Sequence, residues 1–105
     1  MAPEAGPVSM LVVYRIKDGK EAEFLPLLKA HWPTLDRAGL VTAEPARAWR
    51  AEGKRGGIAF VETFQWKDPT SSEVAHQTPE VMRVWEPMGE FLEGLDLYRV
   101  EPVGL

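Results

Sequence analysis

Three side chains of this 105-residue chain combine titratable chemistry with an apolar setting: His31, Glu62 and His76. Glu62 is the one charged residue in Ile58-Ala-Phe-Val-Glu-Thr-Phe-Gln-Trp66. At strand spacing, Ile58, Phe60, Glu62, Phe64 and Trp66 share one face, and Ala59, Val61, Thr63 and Gln65 the other. A carboxylate on so apolar a face is costly unless it is paired or protonated. Arg47 and Arg99, on neighbouring predicted strands, are the expected partners; if neither reaches it, Glu62 is a candidate base. His31 falls on the apolar stripe of a predicted helix, where it is either a core histidine with satisfied ring nitrogens or a pocket acid/base. His76 sits at the break before Thr78-Pro79, as an exposed helix end or a pocket residue.

Other chemistries find little support. Glu73 and Glu80 lie one helical turn from His76, a spacing usable for metal ligation, but no second such motif supplies facing ligands and no metal is expected. Gly53, Gly56 and Gly57 lie between two strands and precede no helix, so they are not a phosphate loop. Ser9, Ser71 and Ser72 have no partnered base. Aromatic residues are plentiful, and Tyr14, Trp32, Phe60, Trp66, Trp85 and the thioether of Met88 are the candidate lining of a pocket for a flat or apolar ligand.

The elements that would position these groups follow from periodicity. Residues 1 to 7 are expected as a flexible tail before a domain over residues 8 to 105, opened by a strand from Val8 to Lys17 that is apolar on both faces. Asp18 with Glu21 forms a capping-box pattern, and Phe24, Leu28, His31 and Leu35 mark the buried side of a helix ending at Gly39. Pro26 and Pro33 should bend it. A weaker strand from Val41 to Ala51, interrupted at Pro45, turns through the glycine-rich loop into Ile58–Trp66. A second helical region begins after Asp68-Pro69 and restarts at Thr78-Pro79, with Val81, Trp85, Met88 and Leu92 as its stripe and Gly94 as its stop. Leu95 to Val103 is the last strand. The order predicts an α+β, ferredoxin-like βαββαβ fold, a four-stranded antiparallel sheet with two helices on one face. Two helices cover one sheet face only, so the second apolar face predicts a homodimer packed sheet to sheet.

Composition narrows the partners. Twelve Lys and Arg against sixteen Asp and Glu give a net charge of -4, and the longest basic cluster is Lys54-Arg55, which argues against nucleic acid. The chain has no cysteine, no apolar run of membrane-spanning length and no signal-like amino terminus, so it is expected to be soluble, free of the membrane and cytoplasmic.

The element order, the strand end Val61-Glu-Thr-Phe-Gln-Trp-Lys-Asp68 and the segment Ala75-His-Gln-Thr-Pro-Glu80 together resemble the dimeric α+β barrel superfamily, in particular small antibiotic-biosynthesis-monooxygenase-like proteins, over residues 8 to 103. Members of that superfamily include cofactor-independent oxygenases of polycyclic aromatics, haem-degrading enzymes and lactone isomerases. The resemblance implies a pocket between helices and sheet in each subunit and favours a pocket position for His76. Trp66 and His76, ten residues apart, are similar to the tryptophan and histidine of haem-degrading members, but there both lie on the second helix. In strand-anchored register His76 falls near the tryptophan position and Glu86 near the histidine ligand, so the haem pattern is not met and no cofactor is expected. The reading is a small-molecule-binding homodimer, either a cofactor-independent monooxygenase or isomerase or a non-catalytic module whose histidines are structural.

Overall fold

Alternating apolar residues on two long segments produce the central pair of strands. In the computed structural model, which describes residues 6–105, β1 (Val8–Ile16) and β3 (Ile58–Trp66) pair antiparallel with Val12 opposite Glu62 and Tyr14 opposite Phe60. The proposed tail falls largely outside the described residues. A hairpin through Gly56 and Gly57, both at positive φ, adds β2 (Arg47–Glu52) to the outer edge of β3. The last strand, β4 (Leu92–Arg99), lies against β1, giving a four-stranded antiparallel sheet of order β2-β3-β1-β4.

One face of that sheet carries the helices. Helix α1 (Glu21–Arg37) runs unbroken through Pro26 and Pro33 and buries the predicted stripe of Phe24, Leu28, His31 and Leu35. The second helical region is two helices, α2 (Ser71–His76) and α3 (Pro79–Glu90), with Pro79 in the first turn of α3 where its missing N–H costs nothing. Asp68 starts α2 by accepting from the Thr70 hydroxyl at 2.7 Å and its backbone N–H at 2.9 Å, bonds that hold the Asp68 carboxyl below its usual range. The ferredoxin-like arrangement expected from the sequence is the one observed.

Four local expectations are corrected. The capping box at Asp18 does not form, because Gly19 takes a left-handed turn, Lys20 is the N-cap, and the Glu21 carboxylate bonds the Arg50 guanidinium of β2 instead. That bond, foremost, holds the Glu21 carboxyl below its ordinary range. β2 begins at Arg47 rather than Val41, since Pro45 cannot donate to the ladder; Val41 makes only a lone bridge to Trp66. Helix α3 ends at Glu90 rather than Gly94, so Leu92 belongs to a strand, paired with Ile16. Gly94 lies inside β4 opposite Arg15, whose side chain crosses the space that a Cβ there would fill on its way to Asp96. Finally, the last strand stops at Arg99 rather than Val103.

The face assignment gives Glu62 its surroundings. Phe60, Glu62, Phe64 and Trp66 are all buried under the helices, while Val61, Thr63 and Gln65 on the opposite face are only partly covered. The described part of the molecule is 19 Å in its shortest dimension, one sheet plus one helix layer, and among the described residues no helix covers the far side of the sheet.

Candidate active site

Tyr14 and Glu62 point into the same layer from neighbouring strands, one step apart on the diagonal of the β1–β3 pair. The Tyr14 hydroxyl donates to Glu62 Oε1 at 2.6 Å. From above, α1 brings His31 Nδ1 to 3.0 Å from Oε1 and 3.1 Å from Oε2. From α3, Trp85 Nε1–H donates to His31 Nε2 at 2.8 Å. The three titratable members are almost wholly buried, with Tyr14 5%, His31 3% and Glu62 2% exposed.

The donor inventory assigns the protons. Indole nitrogen can only donate, so His31 Nε2 is bare and Nδ1 carries the hydrogen given to the carboxylate. Glu62 accepts from both Tyr14 and His31, and the imidazole is neutral in a single tautomer. The Arg47 and Arg99 partners expected for Glu62 are not used. Arg47 pairs with Thr63 on the opposite face and lies over the Trp49 ring at 5.4 Å, and Arg99 stands opposite Met10, a strand further away.

Burial, and then the charge and hydrogen bond of Glu62, push the Tyr14 phenol well above its ordinary range. The folded state therefore holds this proton more tightly than the unfolded chain does. The stability it contributes is complete below about pH 10, where an unfolded phenol keeps its proton, and is lost as pH rises beyond that. In a Tyr98→Phe variant, which leaves Tyr14 as the only tyrosine, alkaline titration should show no phenolate absorbance until the near-ultraviolet circular dichroism reports unfolding. Reversible ionisation of the folded protein would contradict this arrangement.

The chain of bonds flanks a half-open cavity of about 200 Å³. Its sheet side is Met10, Val12, Tyr14, Phe64 and Trp66, extended by Leu95 and Leu97 of the edge strand β4; its helix side includes His31, His76, Trp85 and Met88. Among the described residues, no Lys, Arg, Asp or Glu lines it. His76 is exposed at the rim, its ring 4.8 Å from that of Trp85, and its Nδ1–H donates to the Ser72 carbonyl at 2.8 Å. Among the described residues, no three His, Asp or Glu side chains gather as a metal site.

The structure thus brings His31, Glu62, Tyr14, Trp66, His76, Trp85 and Met88 into one region. Two expected lining residues lie elsewhere. Trp32 and Phe60 border a separate groove of about 400 Å³ between α1 and β2, on the far side of Glu62, because α1 places Trp32 one residue round from His31 and Phe60 is covered by Phe24 at 5.6 Å. Met10, Val12, Phe64, Leu95 and Leu97 were not expected as lining. The alternation on β1 and β3 places Met10, Val12 and Phe64 on this face, but nothing local reveals that β4 extends beyond the helices.

No protein-family model matches the chain, and no curated protein matches it in sequence. Solved structures do. An antibiotic biosynthesis monooxygenase superposes with a TM-score of 0.71 at 14% identity, covering 92% of this chain and 99% of that one. A variant of SnoaB, a cofactor-independent oxygenase from Streptomyces nogalater, gives 0.66 at 13% identity over 94% and 97%. Rv0793 from Mycobacterium tuberculosis gives 0.62 at 18% identity over 95% and 98%. The chain shares its ferredoxin-like α+β fold with these solved structures. At these identities the likeness is one of fold.

Proposed function

We propose that this protein binds a small, uncharged, apolar or aromatic metabolite in the cavity beneath α1 and α3 and moves a proton on it. The observation that carries this reading is the buried Tyr14–Glu62–His31 chain beside an apolar cavity that no described Lys, Arg, Asp or Glu lines. A carboxylate that orients a neutral imidazole makes a base whose lone pair has a fixed direction. His31 is that base, Glu62 its orienting partner, Tyr14 the group that fixes Glu62, and His76 a second proton-transfer group at the rim.

Two reaction types follow from proton removal. In an isomerisation the abstracted proton returns at another carbon and no further reactant is needed. In a cofactor-independent monooxygenation the carbanion reacts with dioxygen, so that an activated CH₂ becomes C=O and the second oxygen leaves as water. The fold shared with SnoaB, a cofactor-independent oxygenase, supports the second. The non-catalytic alternative is favoured by one observation, the Trp85 bond that occupies the His31 lone pair.

We further propose that the working unit is a cytoplasmic homodimer joined through the outer sheet face. Leu11, Val13 and Val61 form its centre, with Trp49 and Tyr98 47% and 53% exposed at either side. An apolar band of this kind on a soluble protein calls for a cover, and a second copy supplies a matching one. No helix among the described residues is long and apolar enough to cross a membrane.

The test is hydrogen exchange from D₂O into the activated CH₂ of phenylacetone, an uncharged one-ring ketone, followed by NMR, with dioxygen uptake recorded in parallel. His31→Asn should slow protein-dependent exchange by about 10²-fold or more. Exchange unaffected by that variant would remove His31 as the base.

A further inference from the structure

The lone pair that would take a proton from a ligand is already occupied. His31 Nε2 accepts the Trp85 indole N–H at 2.8 Å, and Nδ1 is committed to Glu62. Tyr14 is likewise committed, so the deep wall of the cavity offers a ligand no unsatisfied polar atom. Trp85, in contrast, is only partly buried, with its ring between those of His31 at 6.2 Å and His76 at 4.8 Å. It is the one of the four hydrogen-bonded side chains that is not almost wholly buried, so its N–H has water within reach as an alternative partner.

Resting on the proposed binding reading, we infer that Trp85 is a removable cap on His31, and that the cavity selects an uncharged one-ring ligand whose hydroxyl replaces the indole N–H on His31 Nε2. Three features converge on this ligand class. A phenolic O–H is a stronger hydrogen-bond donor than an indole N–H, so the exchange runs toward the ligand, whereas a purely apolar ring leaves the cap in place. A carboxylate or phosphate would enter a cavity that no described Lys or Arg lines and face a bare ring nitrogen, so anions are rejected. An apolar cavity of about 150 Å³ accommodates benzene, so one of about 200 Å³ has room for a ring with a small substituent. In the bound state the hydroxyl proton lies on the lone pair of the base, and the cap has become part of the opening.

The matched probes are p-cresol, p-xylene and p-toluate, which share a ring and differ in donor and charge. In protein labelled with ¹⁵N at histidine and tryptophan, the free state should show coupling through the hydrogen bond from Trp85 Nε1 to His31 Nε2. Saturation with p-cresol should abolish it. Saturation with p-xylene should perturb the Trp66 indole signal but leave the coupling, and p-toluate should bind at least tenfold more weakly than p-cresol. In Trp85→Phe, where no cap competes, the affinity ratio of p-cresol to p-xylene should rise about tenfold; if that variant does not fold, the coupling in the native chain decides. Binding of p-cresol with the coupling intact, an unchanged ratio in Trp85→Phe, or p-toluate binding as tightly as p-cresol would overturn the cap while leaving the cavity as a ligand site. Failure of all three probes to bind would overturn both the cap and the binding reading.

Discussion

Glu62→Leu is expected to lower the stability of the folded chain by roughly 2–6 kcal/mol, the cost of leaving two buried donors unsatisfied at about 1–3 kcal/mol each. The two donors are the Tyr14 hydroxyl and His31 Nδ1–H, both pointing at the carboxylate from opposite layers of the core. Removing the buried charge recovers part of the loss, which places the result toward the lower end of the range. Adding Tyr14→Phe in the same chain removes one stranded donor, so the double variant should be more stable than Glu62→Leu alone. The measurement is urea unfolding of the native chain, both single variants and the double variant. Independent, additive losses would mean that Tyr14 and Glu62 do not act as a pair.

The second large effect is expected at the opposite face. Val61→Glu places a carboxylate between Val13 and Trp49 in the middle of the outer sheet surface. In a face-to-face dimer both copies bring that charge into an apolar interface, and at a few kcal/mol each the dissociation constant should rise on the order of 10³-fold. The subunit fold should survive, because residue 61 points away from the helices and the core. Sedimentation velocity at micromolar concentration should give a dimer for the native chain and a monomer of native circular dichroism for the variant. A native chain that sediments as a monomer, or a variant that remains a dimer, would contradict association through this face.

The legible part of the structure was the part written in local periodicity. Phe24, Leu28, His31 and Leu35 recur at helical spacing, and they are the residues α1 buries. Phe60, Glu62, Phe64 and Trp66 alternate, and they are the face β3 turns inward. The odd carboxylate on that face was a correct signal of a special environment. What compensates it was not legible, because its partners come from 48 and 31 residues away and depend on the register of β1 and the rotation of α1. Charge alone points to arginine. Strand alternation excludes Arg47 once its register is known, since pairing with Thr63 puts it on the outer face. The helix stop at Gly94 was misread for a related reason: this glycine answers a long-range need, the passage of the Arg15 side chain. The bond between Trp85 and His31 spans 54 residues and two helices, and no spacing rule could indicate it.

The role proposed for His31 is that of a neutral base oriented by Glu62 in the wall of the cavity. A long-range ¹H–¹⁵N correlation spectrum of the histidine rings at neutral pH tests it directly, with His76→Gln used to assign the two rings. His31 should show a protonated Nδ1 and a bare Nε2, and this fixed tautomer should be lost in Glu62→Leu. A His31 ring protonated at Nε2 alone, or one unaffected by removal of the Glu62 carboxylate, would contradict it.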